Sequence, residues 1–422
     1  MEWLNIFNFV IGLLFSLCYL YQYVYMIIAC VRKPKRFSET DKRFRYAILI
    51  SARNEESVIG QLLDSIRSQD YPAELLDTIV IADNCTDKTA EVARIHGATV
   101  YERNDTVHVG KGYALKLAFD RLKAEKGLHY YDGYFVIDAD NLLEPNYVSE
   151  MNKAFAAGHR VITSYRNSKN YGDNWISSGY SLWFLREARH LNSVRFLLGT
   201  SCVVAGTGFL VSGDIIREQG GWKHFSMTED TEFTAERMLK GERIAYCHDA
   251  IFYDEQPVKF SQSWRQRKRW AKGYLQVLAR HGGKMLRAVI HGNFSCFDLI
   301  MSLSPAFFIS LFTLAVNLIA AVVAAIVLPS AVLPILSGLL VTALTAYALF
   351  FLVSLCTVIL EWKRIRATTA EKILSVFTTP LFIATYIPIS ASALFSKVEW
   401  KPIEHRVSVS VDDLKRGRST KH

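Results

Sequence analysis

The chain has 422 residues, half of them hydrophobic, with 49 basic against 40 acidic side chains and a net charge of +9. That length holds one folded domain of about 250 residues plus several membrane spans, and Gly and Pro are too sparse for a disordered or fibrous chain. The positive excess does not call for nucleic acid. Much of it sits at 32–36 and 265–272, where anionic lipid or nucleotide phosphate is the simpler partner.

Residues 3–31 contain no Lys or Arg and, after Glu2, no acid, a run longer than the roughly 20 apolar residues a bilayer needs. It exceeds a signal-peptide core, and no small-residue cleavage site precedes the basic cluster, so segment 1–32 is expected to be a transmembrane helix. Arg32, Lys33, Lys35 and Arg36 follow at once. By the positive-inside bias the polar region 33–273 is cytoplasmic, under a plasma membrane that the chain crosses several times.

From Arg45 short apolar runs alternate with amphipathic segments. Strands are expected at 46–50, 78–81 and 134–137, and helices at 57–68, 88–96 and 147–157. This alternation predicts an α/β domain with a Rossmann-like, mostly parallel sheet covered on both faces. Ligands of such sheets sit outside the carboxyl ends of the strands. Asn54, Asp83 and the run Asp138-Ala139-Asp140 each follow an apolar run at such a point.

Residues 174–198, with Trp175, Trp183 and Phe184, suit either an amphipathic helix at the membrane or core packing. Residues 274–297 mix aliphatic side chains with Arg280, Lys284, Arg287 and His291 and predict an interfacial amphipathic helix. The helical membrane region is expected over 298–396. Two long apolar runs, 299–328 and 335–361, form a hairpin whose second arm ends on the basic Glu361 to Arg366, facing inside. The last run, 373–395, carries Pro380 and Pro388 and precedes a basic tail, 397–422; if the run re-enters rather than crosses, the tail stays inside. The seven cysteines form no C-x-x-C pair and no paired His spacing accompanies them, so neither a zinc site nor a disulfide framework is indicated.

Asp138 and Asp140, on a strand end before the turn at 141–145, suit Mg²⁺ or Mn²⁺ held by few protein ligands while substrate phosphates supply the rest; capping of the turn is the competing reading. Further motifs are Ser51-Ala52-Arg53-Asn54-Glu55, Gly110-Lys111-Gly112, Thr228-Glu229-Asp230 and Gln266-Arg267-Lys268-Arg269-Trp270. Together they resemble the family 2 glycosyltransferases, in particular the membrane-embedded processive synthases of cellulose, chitin, hyaluronan and poly-N-acetylglucosamine. The resemblance covers about 45–275 and implies a GT-A fold, a nucleotide-diphosphate sugar donor and inversion at the anomeric carbon.

Carried over residue by residue, the resemblance implies that Asp83 contacts the uracil, that Ala52, Asn54 and Glu55 belong to the loop framing the nucleoside, and that Lys111 lies near the diphosphate. It makes Asp138 and Asp140 the substrate and metal carboxylates and Asp230, in its Thr228-Glu229 setting, the general base. An inverting transfer needs one carboxylate to take the proton of the attacking hydroxyl. Thr-Glu-Asp, as in cellulose synthases, tilts the donor toward UDP-glucose. Gln266, Arg269 and Trp270 match the Q-x-x-R-W signature, with Arg269 on a diphosphate oxygen and Trp270 under the acceptor sugar, unless that ring belongs to the membrane belt. Arg265, Arg267 and Lys268 read as a membrane-surface patch. Gly206, Thr207 and Gly208, before Gly220-Gly221-Trp222, resemble an acceptor-side loop. The segment from Val398 to Ile403 resembles a Trp-containing stretch after the last hydrophobic helix of bacterial relatives.

The expected activity is thus processive transfer from a UDP-sugar into a β-glucan, cellulose-like or of mixed linkage, secreted through the chain's own spans. A homo-oligomer or accessory subunit would complete a path that so few spans leave short. The alternatives are an N-acetylglucosamine-containing polymer, or a non-processive transfer to a lipid, since ceramide glucosyltransferases resemble the chain in similar aspartates and an R-W motif. A catalytically inactive scaffold is a third class, disfavoured by the complete motif set.

Overall fold

A computed structural model describes residues 2–303, 305–398, 405 and 407–415. The chain opens with α1 (Glu2–Val31) and continues β1 (Tyr46–Ala52), α2 (Ile59–Arg67), β2 (Leu76–Asp83), α3 (Thr89–Ile95), β3 (Thr99–Arg103), α4 (Lys111–Glu125), β4 (Gly133–Asp138), β5 (Leu142–Leu143) and α5 (Tyr147–Ala156). There follow β6 (Val161–Ser168), α6 (Trp175–Arg186), a π-helical turn (Glu187–Asn192), α7 (Ser193–Leu197), β7 (Phe209–Ser212), α8 (Gly213–Gln219), α9 (Glu229–Leu239) and β8 (Ala245–Asp254). The rest is helical: α10 (Phe260–Ile290), α11 (Phe294–Ser302), α12 (Pro305–Val327), α13 (Val332–Glu361), α14 (Thr369–Ala384), α15 (Tyr386–Phe395) and α16 (Val411–Lys415).

Eight strands form one sheet in the order β3-β2-β1-β4-β7-β6-β8-β5. The first half is parallel as expected, and its runs Tyr46–Ile50 and Tyr134–Ile137 are buried on both faces, which is why they read as continuous apolar stretches. The second half departs from the mostly parallel expectation. There β7 runs antiparallel to both β4 and β6, and β5 antiparallel to β8. The reversal has a consequence for the site. Because β7 starts where β4 ends, with Phe209 opposite Val136 and Gly208 N donating to Val136 O at 3.0 Å, the loop before β7 lies beside Asp138.

Among the described residues four helical stretches are long and apolar enough to cross a membrane: 2–31, 306–327, 329–361 and 369–395. The last is unlike the others. Half of its most apolar window is buried in the molecule, against 6% for α1 and 17% for the two arms of the hairpin. It also breaks at Thr385 between α14 and α15. Arg267 explains the break. The sequence placed it in a membrane-surface patch, but it is fully buried, with Nη1 donating to Phe382 O at 3.1 Å and Thr385 Oγ1 at 2.7 Å and its guanidinium 4.2 Å from the Phe382 ring centroid.

The boundary expected at 273/274 falls inside α10, a single helix of 31 residues that carries both the Q-x-x-R-W signature and the amphipathic stretch. Segment 174–198 is one continuous helical rod, buried along most of its length. Its Arg195 forms a buried pair with Asp298 on α11, both Nε and Nη2 bonding at 2.7 Å, and Tyr21 on α1 adds a bond to the same carboxylate at 3.0 Å. Such a pair costs much to break one-sidedly, so it locks the membrane helices in register with the domain. The cysteines are unpaired, and Cys30 and Cys356 lie with sulfurs 3.3 Å apart between α1 and α13.

Candidate active site

One cavity of about 1100 Å³ joins the carboxyl edge of the sheet to the membrane helices. Among the residues singled out in the sequence, Glu55, Asp83, Lys111, Asp138, Asp140, Gly206, Thr228, Glu229, Asp230, Gln266, Arg269 and Trp270 line it. These come from strand ends, two helix starts and one long helix. Only the fold brings them together.

Asp138 ends β4 with its side chain 38% exposed to the cavity, paired with Lys111 Nζ from the first turn of α4. The same Nζ donates to Gly206 O at 2.8 Å. Lys111 is thus fixed at the site by a carboxylate and a carbonyl. Asp140 is buried and accepts from Glu255 N at 3.0 Å and from Asn141 Nδ2 at 3.1 Å. Burial alone would raise its pKa, but the charges of His405, Lys169 and Arg166 hold it below the usual carboxylate value. The two carboxylates fit Mg²⁺ or Mn²⁺: they are hard oxygen donors on one turn, and Asp138 presents free lone pairs to the cavity. Among the described residues no group of three or more His, Cys, Asp or Glu side chains converges on a metal position. Substrate phosphates would have to complete such a sphere.

Asp230 lies in the first turn of α9, after Thr228 at the helix start. Burial raises its carboxyl, while the Thr231 N–H, Lys111 and Arg269 pull it back. Glu229 beside it is pushed up to about 7 by burial and by the Asp230 charge. Two neighbouring positions depend on glycine for different reasons. Gly206 needs it for its backbone, with φ +78°, beside Asp230 Oδ2; at Gly273 of α10 a Cβ would fall 2.6 Å from Thr228 Cγ2 and Oγ1. The second contact sets α10 directly against the Thr-Glu-Asp turn. Arg269 Nη1 then reaches Met227 O at 3.1 Å, and Trp270 packs edge-on to Tyr180 and Phe184 while also facing the cavity.

Several expectations change role. Ala52 is buried under β1 and does not line the cavity; Asn54, in a left-handed conformation with φ 58°, is exposed and binds Thr86 N at 2.8 Å, shaping the loop after β2. Thr207 and Gly208 also lie behind the site. Thr207 Oγ1 accepts from Asp138 N at 2.9 Å and donates to Asn141 Oδ1 at 2.5 Å, so it holds the Asp-Ala-Asp turn. A Cβ on Gly208 would strike the Phe252 ring. Trp222 is core. Arg265 and Lys268, read as membrane-surface charges, line the cavity instead. Asp83 is tied to Arg103 Nη1 at 2.6 Å, which orients its carboxylate at the cavity rim.

The sequence reading missed a set of partners. Arg166 binds Asp254 Oδ2 through Nε at 2.6 Å, and buried Lys169 adds charge beside Asp140. His405, 350 residues after Glu55, contacts its carboxylate at 2.9 Å and lies 3.9 Å from Asp140 Oδ2. Burial opposes its charge, yet Asp140 and Glu55 raise it to about 10. No local signal marks His405. The tail beyond it docks on the domain through Val407 N to Glu255 Oε2 at 2.8 Å, Val409 and Leu414 against Leu142 and Tyr253, and Lys415 on Glu144. Of the segment resembling a family feature, 399–403 lie outside the described residues, while Lys397 and Val398 line the cavity.

Carboxylates on the ends of parallel strands, a reversed strand bringing a glycine loop to them and an acidic helix start opposite define a GT-A domain. The family described as Glycosyltransferase like family 2 matches residues 43–273, and the chain belongs to it. It is 25% identical over 252 residues to "Probable glycosyltransferase YdaM" of Bacillus subtilis, covering 56% of each chain. It is 27% identical over 241 residues to "Beta-monoglucosyldiacylglycerol synthase" of Nostoc sp., covering 54% of this chain and 49% of that one. The chain spans about half the length of these curated relatives. A 66-residue stretch is 52% identical to the "4,4'-diaponeurosporenoate glycosyltransferase" of Staphylococcus aureus, 16% of each chain. Among solved structures, the mannosyltransferase of Pyrobaculum calidifontis in complex with GDP-Man and Mn²⁺ superposes with a TM-score of 0.59 at 17% identity, over 92% of this chain and 99% of that one, a likeness of fold.

Proposed function

We propose that the chain is an inverting, metal-assisted glycosyltransferase that moves a sugar from a UDP-sugar, UDP-glucose above all, to a hydroxyl of a membrane lipid. One observation carries this reading: the reach of the cavity into the membrane helices. It is lined on α1 from Phe15 to Met26 and on α13 from Ala343 to Val353, with Leu303, Phe307, Leu381 and Ile387 between them. At 1.5 Å per residue each stretch is about 15 Å long, half of a hydrocarbon core of roughly 30 Å. Beyond it, Leu4, Ala321, Ala324, Ala331 and Ile335 pack together, and Asn8 and Asn317 exchange side-chain hydrogen bonds of 2.9 and 2.8 Å.

A mostly apolar chamber that reaches one leaflet deep suits an acyl chain. A secreted polysaccharide needs the full thickness and a wall of hydrogen-bonding groups. The chamber therefore favours single transfer to lipid over the secreted β-glucan expected from the resemblance, and it removes the need for a second subunit to complete a channel. The diacylglycerol glucosyltransferases among the relatives agree with this choice.

In the transfer, the acceptor oxygen attacks the anomeric carbon opposite the diphosphate. The new C–O bond forms as the carbon–oxygen bond to phosphate breaks, its electron pair leaves with UDP, and the acceptor proton passes to the Asp230 carboxylate. Lys111 and Arg269 supply charge to the departing diphosphate. A divalent ion on Asp138 and Asp140 would neutralise that same leaving group. The raised pKa of Asp230 makes it a stronger base than a solvated carboxylate.

Membrane placement follows the same logic. The basic cluster at 32–36 favours a cytoplasmic domain, and the tail docked at His405 to Lys415 lies on that domain's own side. An even number of crossings must then separate Leu303 from His405. The hairpin of α12 and α13 supplies two, so α14 and α15 re-enter instead of crossing.

The test is to incubate purified protein with Mg²⁺ or Mn²⁺, radiolabelled UDP-glucose and lipid in mixed micelles. A solvent-extractable product carrying one added sugar is the expected result. A long, cellulase- or lichenase-sensitive polymer would overturn the lipid reading.

A further inference from the structure

The wall between the sheet carboxylates and the apolar chamber is the rod from Trp175 to Leu197, and its middle is π-helical over Glu187–Asn192. A π-turn carries an extra residue per turn, costs stability and clusters at functional sites. Here it marks the place where the rod turns Arg186, Glu187, His190 and Arg195 onto the cavity.

Two of these four are engaged by neighbouring side chains, His190 through one ring nitrogen only, its Nδ1 being buried without a hydrogen bond. Arg195 is held by Asp298, and His190 Nε2 lies 3.1 Å from Thr357 Oγ1. The other two are held less. Among the described residues Glu187 accepts no hydrogen bond and has no cation within 4 Å, and Arg186 donates only to Gln22 Oε1 at 2.6 Å and meets no carboxylate at that range. Glu187 feels Arg195, Arg166 and Arg186 on one side and Asp230 on the other, while Tyr274 and Tyr386 feel Glu187. It lines the same cavity as the proposed base, Asp230. Burial raises its carboxyl above the usual range, and the side chain is half-buried and faces the cavity, so the unpaired carboxyl is open to a ligand's hydrogen-bond donor.

Building on the lipid-transfer reading, we propose that Arg186 and Glu187 form the acceptor-headgroup subsite, and that the headgroup is neutral and bears at least two hydroxyls, as in a glycosylated lipid. One hydroxyl is the nucleophile at Asp230. A second donates to Glu187, and Arg186 donates to a linkage oxygen nearer the acyl chains. The unpaired charges are of both signs, Glu187 with Glu229 and Asp230 against Arg186 and Arg269, so a neutral headgroup that offers both hydroxyl donors and oxygen acceptors matches the lining better than one of either charge. A simple diacylglycerol has only one hydroxyl and would leave Glu187 without a donor.

The experiment compares dioleoylglycerol with glucosyl-dioleoylglycerol as acceptors in mixed micelles, for the wild type, Glu187→Gln and Arg186→Gln, with UDP binding measured in parallel. The wild type should favour the glycosylated lipid by about tenfold in kcat/KM, the order of one well-placed hydrogen bond to a charged group. Glu187→Gln should raise the KM for that lipid about tenfold while UDP affinity stays within twofold. A wild type that prefers dioleoylglycerol overturns the subsite, as does a Glu187→Gln variant that binds UDP normally and keeps its acceptor KM. If neither lipid is glycosylated and polymer forms, the lipid reading itself fails, a result distinguishable from loss of the subsite alone.

Discussion

The two halves of the cavity are built by opposite rules. On the sheet side the charged lining groups are mostly held by opposite charges: Lys111 on Asp138, Arg166 on Asp254 and His405 on Glu55, with Asp83 held from behind by Arg103. On the membrane side the lining is mostly aliphatic and aromatic, from Phe15, Met26, Leu303, Phe307, Leu344, Phe350 and Leu381, with Gln22, Ser302 and Ser310 among them. Fixed, oppositely charged dipoles stabilise charge that develops in a reaction. Apolar walls can only exclude water and accommodate shape. The contrast teaches that chemistry belongs to the first half and choice of acceptor to the second, so damage to each should be separable.

The largest separation comes from Asp230→Asn, which should lower kcat by about a thousandfold while UDP affinity, measured by calorimetry, stays near wild type. Chelation of divalent ions should likewise stop transfer, with recovery on adding Mg²⁺ or Mn²⁺; full activity in excess chelator would remove Asp138 and Asp140 from that role. A pH profile sharpens the assignment. The base acts only when ionised and its pKa is raised, so kcat/KM should fall as pH drops through an acid limb lying above the ordinary value of about 4. Glu229→Gln removes a neighbouring negative charge and should move that limb toward lower pH.

Gly273→Ala probes the seam between the halves. Its Cβ would push α10 off Thr228, and a displacement of about 1 Å at the reacting groups costs on the order of a hundredfold in rate with little loss of fold. On the membrane side, Ala306→Trp and Leu344→Trp should raise the KM for long-chain lipid several-fold, spare short-chain acceptors and leave donor KM unchanged. Equal loss with both chain lengths would break the division of labour. The smallest effect is expected from Val409→Asp, which places a charge against Leu142 and Tyr253 and should free the tail for proteolysis, on the side of the membrane that holds the domain.

The short apolar runs, the carboxylates that follow them and the Thr-Glu-Asp and Q-x-x-R-W motifs were legible because each is a local pattern. Arg267 was not legible in this way. Within α10 it alone of residues 265–270 does not line the cavity, and it turns to Phe382 and Thr385 instead. Thr207 and Gly208 were misplaced because a glycine-rich loop has a front and a back, and only the antiparallel setting of β7 decides which residues stand at each.

By itself the sequence determined the parallel half-sheet, the long apolar helices and the carboxylates at the strand ends and at the start of α9, since strand and helix periodicity and turn residues act over a few neighbours. Tertiary structure alone decided that β7 reverses, that His405 returns to Glu55 and Asp140, that Glu187 and Arg186 meet the cavity, and that Asn8 pairs with Asn317 beyond it. Each depends on contacts between segments far apart in the chain, whose partners are set by packing and electrostatics after the local elements exist.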